Sequence, residues 1–85
     1  MKDPVRLFPN PTNGELYIVI NKESEYLQRV TAAFFNIMGQ QVYSLNAPNG
    51  VQTIPVMVDS FPSGIYLVAI SVNGVNISTQ KVTIK

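Results

Sequence analysis

Three Asn-Gly pairs, Asn13-Gly14, Asn49-Gly50 and Asn73-Gly74, constrain what this chain can fold into. Asn-Gly supplies the positive φ angles that tight reverse turns need. With Gly39 and Gly64 these pairs interrupt the chain at short, fairly even intervals, and all five glycines fall between runs of β pattern. A helix needs longer uninterrupted stretches at a 3.6-residue period, so the spacing predicts an all-β fold.

Each run reads as a short strand. Val5 to Phe8 is stopped by Pro9. Glu15 to Ile20 alternates, with Leu16, Ile18 and Ile20 on one face. After a polar loop over 21–25, Arg29 to Asn36 points Val30, Ala32 and Phe34 inward, and Gln40 to Leu45 follows a turn at Met38-Gly39. Thr53 to Val58 aligns Ile54, Val56 and Val58; Pro55 cannot donate to a ladder, so this strand belongs at an edge or at a bulge. Gly64 to Val72 is apolar on both faces, which predicts a central strand covered on both sides. In the last run, Val75 and Ile77 point one way and Val82 and Ile84 the other. A one-residue bulge near Ser78 to Gln80 reconciles them, because one extra residue flips the side-chain faces. About seven short antiparallel strands in two sheets match an immunoglobulin-like sandwich, without the Cys–Trp–Cys core of antibody domains.

The chain has 85 residues, enough for one modest core. Residues 1–4 read as a start or linker, and residues 5–85 as the domain. Net charge is +1, and the lysines and arginines are scattered, which argues against nucleic acid. There is no cysteine and no histidine, so thiol chemistry, disulfides and the commonest general base are all absent. The apolar runs fall far short of the roughly 20 residues of a membrane span, so no membrane insertion is expected. No secretory signal peptide opens the chain, so an exported protein of this kind would be part of a longer precursor. Glu23 and Glu25 share a polar loop and Asp59 sits in turn context; neither offers a sheltered acid–base pair. No serine has an activating base in view, and no dense Asp/Asn loop suggests calcium. Asn76-Ile77-Ser78 is a glycosylation sequon to which we assign no role. The expectation is a non-enzyme without cofactor or metal.

Three stretches carry mechanical chemistry. In "FPNPTNGELYI", Pro9 and Pro11 fix φ on either side of Asn10, whose side chain can accept from the Thr12 N–H as an Asx-turn, and Gly14 launches the next strand. In "FFNIMGQQV", Asn36, Gly39 and Gln40 shape a hairpin turn. In "FPSGIYLVAI", Pro62, Ser63 and Gly64 make a turn feeding the strand that carries Tyr66. Taken alone, each is ordinary turn chemistry. In this order, and followed by "KVTIK", they closely resemble the C-terminal sorting domain of the type IX secretion system of Bacteroidetes. The family pattern is a Pro-Asn-Pro turn with a downstream Gly, an aromatic–Asn–x–x–Gly–Gln segment, a Pro-Ser-Gly-x-Tyr segment and a basic last strand. Here these fall on Pro9, Asn10, Pro11 and Gly14; on Phe35, Asn36, Gly39 and Gln40; on Pro62, Ser63, Gly64 and Tyr66; and on Lys81, Val82 and Lys85. Phe35 stands where the family often has Tyr, and Phe61 where Leu is commoner. The resemblance covers Val5 to Lys85.

It implies a signal at the end of a cargo protein that crosses the periplasm, is recognised by type IX translocon components and is guided across the outer membrane. A sortase-like peptidase at the cell surface then usually removes the domain, here by a cut at or before Val5. The residues expected to be recognised are Lys81, Val82, Lys85, Gly64 and Tyr66. With the last strand at a sheet edge, Lys81, Thr83 and Lys85 line one outward face, the lysines about 13 Å apart. The chain-end carboxylate marks the same corner, and a free edge invites strand addition by a translocon component. The rival function is an adhesive or carbohydrate-binding sandwich of a secreted enzyme, built on Tyr17, Tyr26, Phe35 and Tyr43. A third is a plain spacer, which predicts further chain after Lys85. A weak homodimer stays open as well.

Overall fold

The computed structural model describes residues 3–85, so residues 1 and 2 of the expected linker lie outside the described residues. Seven strands form: β1 (Val5–Phe8), β2 (Glu15–Ile20), β3 (Val30–Phe35), β4 (Gln41–Ala47), β5 (Thr53–Met57), β6 (Gly64–Val72) and β7 (Val75–Ile84). They pair antiparallel in two sheets, ordered β1-β2-β5 and β4-β3-β6-β7. The molecule is the all-β, immunoglobulin-like sandwich that the sequence predicts. In an immunoglobulin constant domain the fourth strand lies in the sheet of the first two. Here β4 pairs with β3, enlarging the other sheet.

The alternation read from the sequence fills the space between the sheets. Leu16, Ile18 and Ile20 of β2, with Ile54 and Val56 of β5, face Phe34, Val68, Ile70, Val82 and Ile84, and all are buried. Leu27, in the β2–β3 connection, is also fully buried, a core residue that no period marks. Pro55 is placed without cost. Ile20 N–H donates to Gln52 C=O and Val58 N–H to Gly14 C=O, so the even-numbered residues of β5 bond to β2 and the Pro55 nitrogen faces the open edge.

Two expectations are corrected. Strand β6 is central within its sheet, between β3 and β7, but it is not covered on both faces. Ile65 and Leu67 remain 45 % and 44 % exposed, because a two-layer sandwich leaves the outer face of each sheet to solvent. The continuous apolar run reflected a central position in the sheet rather than a third layer. The bulge in β7 exists, but at Ile77: Ile70 pairs with Ser78 and Ser71 with Asn76, which leaves Ile77 without an opposite number. Ile77 packs against the core beside buried Ser78, and the parity change follows from there.

Candidate recognition end of the sandwich

Antiparallel pairing brings the dispersed motifs to one end of the molecule. Strand β3 ends where β6 begins, with Phe35 opposite Leu67. The end of β7 lies beside that start, with Gly64 opposite Ile84, Tyr66 opposite Val82 and Leu67 opposite Lys81. The segment between β1 and β2 joins them through a parallel bridge from Thr12 to Ile84. The four family stretches therefore share one end. The chain reaches it from the other half, with Asp3 beside Ser78, Val5 beside Gln80 and Asn10 beside Lys81 and Thr83.

At this end the side chains of Asn10, Thr12, Asn36, Gln40 and Tyr66 all have hydrogen-bond partners. The expected Asx-turn at Asn10 does not form. The Asn10 side chain instead reaches across to β7: its Oδ1 accepts from Thr83 N–H at 3.0 Å and its Nδ2 donates to Lys81 C=O at 3.0 Å. Thr12 N–H donates to Thr83 C=O at 2.9 Å, and Lys85 N–H to Thr12 C=O at 2.8 Å. The buried Thr12 hydroxyl donates to Glu15 C=O at 2.6 Å. An amide side chain matches an edge strand because it offers one donor and one acceptor, as a peptide group does. The Pro-Asn-Pro turn is thus a clamp on the last strand. It occupies the outward backbone groups from the Lys81 C=O to the Lys85 N–H, which removes the free edge expected there for strand addition.

The other two motifs close on themselves. Asn36 Oδ1 accepts from Met38 N–H at 2.9 Å and from Gln40 N–H at 3.0 Å, while its Nδ2 donates to Gln40 Oε1 at 2.9 Å. Gly39 sits between them at φ 82, a left-handed conformation that disfavours any side chain with a Cβ. The spacing Asn–x–x–Gly–Gln is one hydrogen-bonded unit, and it holds the two x residues, Ile37 and Met38, out in solvent at 81 % and 78 % exposure. Tyr66 is buried and its hydroxyl donates to Pro62 C=O at 2.5 Å, tying the turn of Pro62 and Ser63 to β6 in the manner of a tyrosine corner. Phe61, before that proline, packs edge-to-face on Phe34, Tyr43 and Tyr66 at 5.5, 5.5 and 5.7 Å. Beside these rings, Asn36, Val42, Tyr43, Ser60, Phe61, Pro62 and Tyr66 line a groove of about 490 Å³.

Of the residues expected to be recognised, Lys81 and Lys85 are exposed. Val82 is fully buried and Tyr66 nearly so, and Gly64 is a strand residue facing Ile84; these three shape the end rather than present it. Lys81 adjoins an apolar row on the outer face of the larger sheet, formed by Phe35 and Leu67, with Ile65 next to it. Reading β6 as covered hid that row. The four rings of the rival carbohydrate platform lie apart: Tyr17 pairs with Phe8 outside the smaller sheet, Tyr43 turns inward, Phe35 faces outward and Tyr26 sits in the short 3-10 turn.

No curated protein matches the chain. The family described as "Secretion system C-terminal sorting domain" matches residues 6–85, essentially all of it. That family is a group of sorting signals of the type IX secretion system rather than of enzymes, and it marks proteins exported to the cell surface through that machinery. The match spans the clamp, the asparagine-capped turn and the tyrosine corner, and the chain belongs to this family.

Proposed function

We propose that the motif-bearing end is the face the type IX machinery reads. Lys81 and Lys85 supply its charged contacts, and Phe35, Leu67 and Ile65 its apolar ones. The convergence of four sequence-distant stretches on one end supports this reading, since folding alone gives turns no reason to gather their special residues on one side. The cargo precedes this domain and joins it from the opposite half, so a translocon component can hold the motif end while the cargo passes. In this account the precursor crosses the periplasm first and the outer membrane second, and a sortase-like peptidase then cuts upstream. The cut falls before Asp3. Proteases take extended, unpaired chain, and here the Asp3 carboxylate accepts from Val5 N–H and the Ser78 hydroxyl, while Pro4 C=O accepts from Asn21 N–H.

The test is a fusion of signal peptide, reporter and the full chain in a type IX-competent host. The reporter is expected outside the cell. Retention of a folded fusion in the periplasm would refute the proposal.

A further inference from the structure

A sandwich of two sheets has four edges, and three of them carry a guard here. Asn10 and Thr12 cover β7 from Lys81 to Lys85. On β1, Val5 C=O accepts from the Gln80 side chain and Val5 N–H donates to Asp3. On β5, Pro55 presents a nitrogen without hydrogen to the edge. The fourth edge is β4. Hydrogen bonds in an antiparallel ladder alternate sides. Thr83 bonds outward, so the even-numbered residues of β7 bond to β6, the odd-numbered residues of β6 bond to β3, and the even-numbered residues of β3 bond to Tyr43, Leu45 and Ala47. Ser44 and Asn46 therefore point their N–H and C=O groups outward, and none of these four groups has a backbone partner among the described residues.

Proteins usually guard such an edge with charge or proline. This one has neither within β4, and no charged residue occurs anywhere from Val30 to Val58. The bulge at Val42, opposite Phe34, confines pairing to the stretch from Tyr43 onward. Immediately before that stretch lies the aromatic groove, floored by Phe61 between Tyr43 and Tyr66, with exposed Ile37 and Met38 on the adjoining turn. An extended segment paired with Ser44 and Asn46 reaches the groove within about three residues, at 3.3 Å each.

Resting on the reading that this end is recognised by the type IX machinery, we infer that β4 is the docking edge. An uncharged extended segment of a translocon component pairs with Ser44–Asn46 and seats one large apolar side chain in the groove. The neutrality of the whole stretch from Val30 to Val58 selects a neutral partner strand over a charged one, and main-chain pairing supplies affinity while the groove supplies specificity.

The test pairs two substitutions with an exchange measurement. Ser44→Pro removes one outward N–H and leaves the β3 ladder whole, as Pro55 does on β5; Ser44→Ala keeps that N–H. In the reporter fusion, S44P is expected to lower export at least tenfold and S44A, which keeps the N–H, by less than twofold. Independently, the Ser44 and Asn46 amides of the full wild-type chain are expected to exchange at least tenfold more slowly when detergent-solubilised type IX translocon is added. Exchange decides the matter if S44P fails to fold. Wild-type export together with unchanged exchange at Ser44 and Asn46 overturns the docking edge while leaving the proposed function standing. Failure of the wild-type fusion to be exported counts against the proposed function instead. Slowing that depends on the concentration of the chain alone identifies a second copy as the occupant and overturns the inference.

Discussion

Replacing Asn10 by Ala tests whether the Pro-Asn-Pro turn is a clamp or only a bend. The substitution deletes two hydrogen bonds of 3.0 Å, from Thr83 N–H and to Lys81 C=O. Each neutral bond contributes about 0.5–1.5 kcal/mol net. Asn10 is exposed, so water can reach the freed groups and the lower half of that range applies. The expected cost is about 1–2 kcal/mol, a loss of roughly 4–16 °C in Tm for a domain of this size. Asn10→Asp is diagnostic: it keeps the acceptor for Thr83 but turns a second oxygen toward the Lys81 carbonyl where a donor stood. It should therefore be at least as destabilised as N10A. Thermal unfolding gives the magnitude, and amide exchange gives the location. Thr83 should lose about tenfold in protection for every 1.4 kcal/mol. The amides of β2, on the other sheet, should follow global stability alone. A folded N10A with Thr83 exchange unchanged and Tm within about 2 °C of wild type would show that the turn does not hold the strand.

Tyr66→Phe removes the hydroxyl bond to Pro62 C=O and should cost about 1 kcal/mol in urea unfolding, lowering the midpoint without changing the slope. The Val5 N–H, and after it the Ser78 hydroxyl, hold the Asp3 carboxyl below its ordinary value. A carboxyl with a lowered folded-state pKa adds stability above its unfolded value near 3.9, and that increment disappears as pH falls through the folded value. The urea midpoints of wild type and Asp3→Asn should therefore differ at pH 6 and converge as pH falls through the lowered folded-state value; a difference constant with pH would remove Asp3 from the account. Val82→Ala empties part of the core and should cost about 2 kcal/mol. Lys81→Ala with Lys85→Ala should stay within about 0.5 kcal/mol of wild type yet impair export. Normal export of the double variant would take the lysines out of the recognition surface.

How much could be read in the chain follows from which physics is local. Alternation is local, so the inward faces of β2, β3 and β5 were legible from their residues, as were the turns at Gly39 and at Asn73-Gly74. Pro55 announced an edge because a missing N–H is a property of one residue. What failed was whatever depends on a partner far along the chain. The Asn10 side chain has an acceptor and a donor wherever it sits, and nothing nearby reveals that Thr83 and Lys81, more than 70 residues on, will take them rather than Thr12. Leu27 carries no period because it fills the core as one side chain from a loop. The run from Gly64 to Val72 misled because lateral burial within a sheet and burial of its outer face leave the same apolar signature. The candidate site shows the same division. Its members could be named as motifs, but their gathering at one end is a consequence of register, which single residues do not carry.

That division bears on why a sorting signal should be a folded domain at all. A linear tag is recognised wherever it is exposed, including on an unfinished chain. Here the last strand reaches its final geometry only once Asn10 and Thr12, from the other end of the sequence, lie against it. Leu67 stands beside Lys81, and the apolar row beside the lysine, only when β6 and β7 are in register. The exposed pair Ile37 and Met38 is held out only when Asn36 has closed its turn. Of these contacts the hairpin register and the Asn36 turn are local, whereas the clamp joins residues more than 70 apart and carries the largest loop-closure cost, so the surface is complete only when the clamp has closed. If this end is the face that is read, as proposed, recognition reports completed folding of the domain, and any variant that loosens the clamp should lose recognition in proportion to the fraction of molecules in which β7 is undocked.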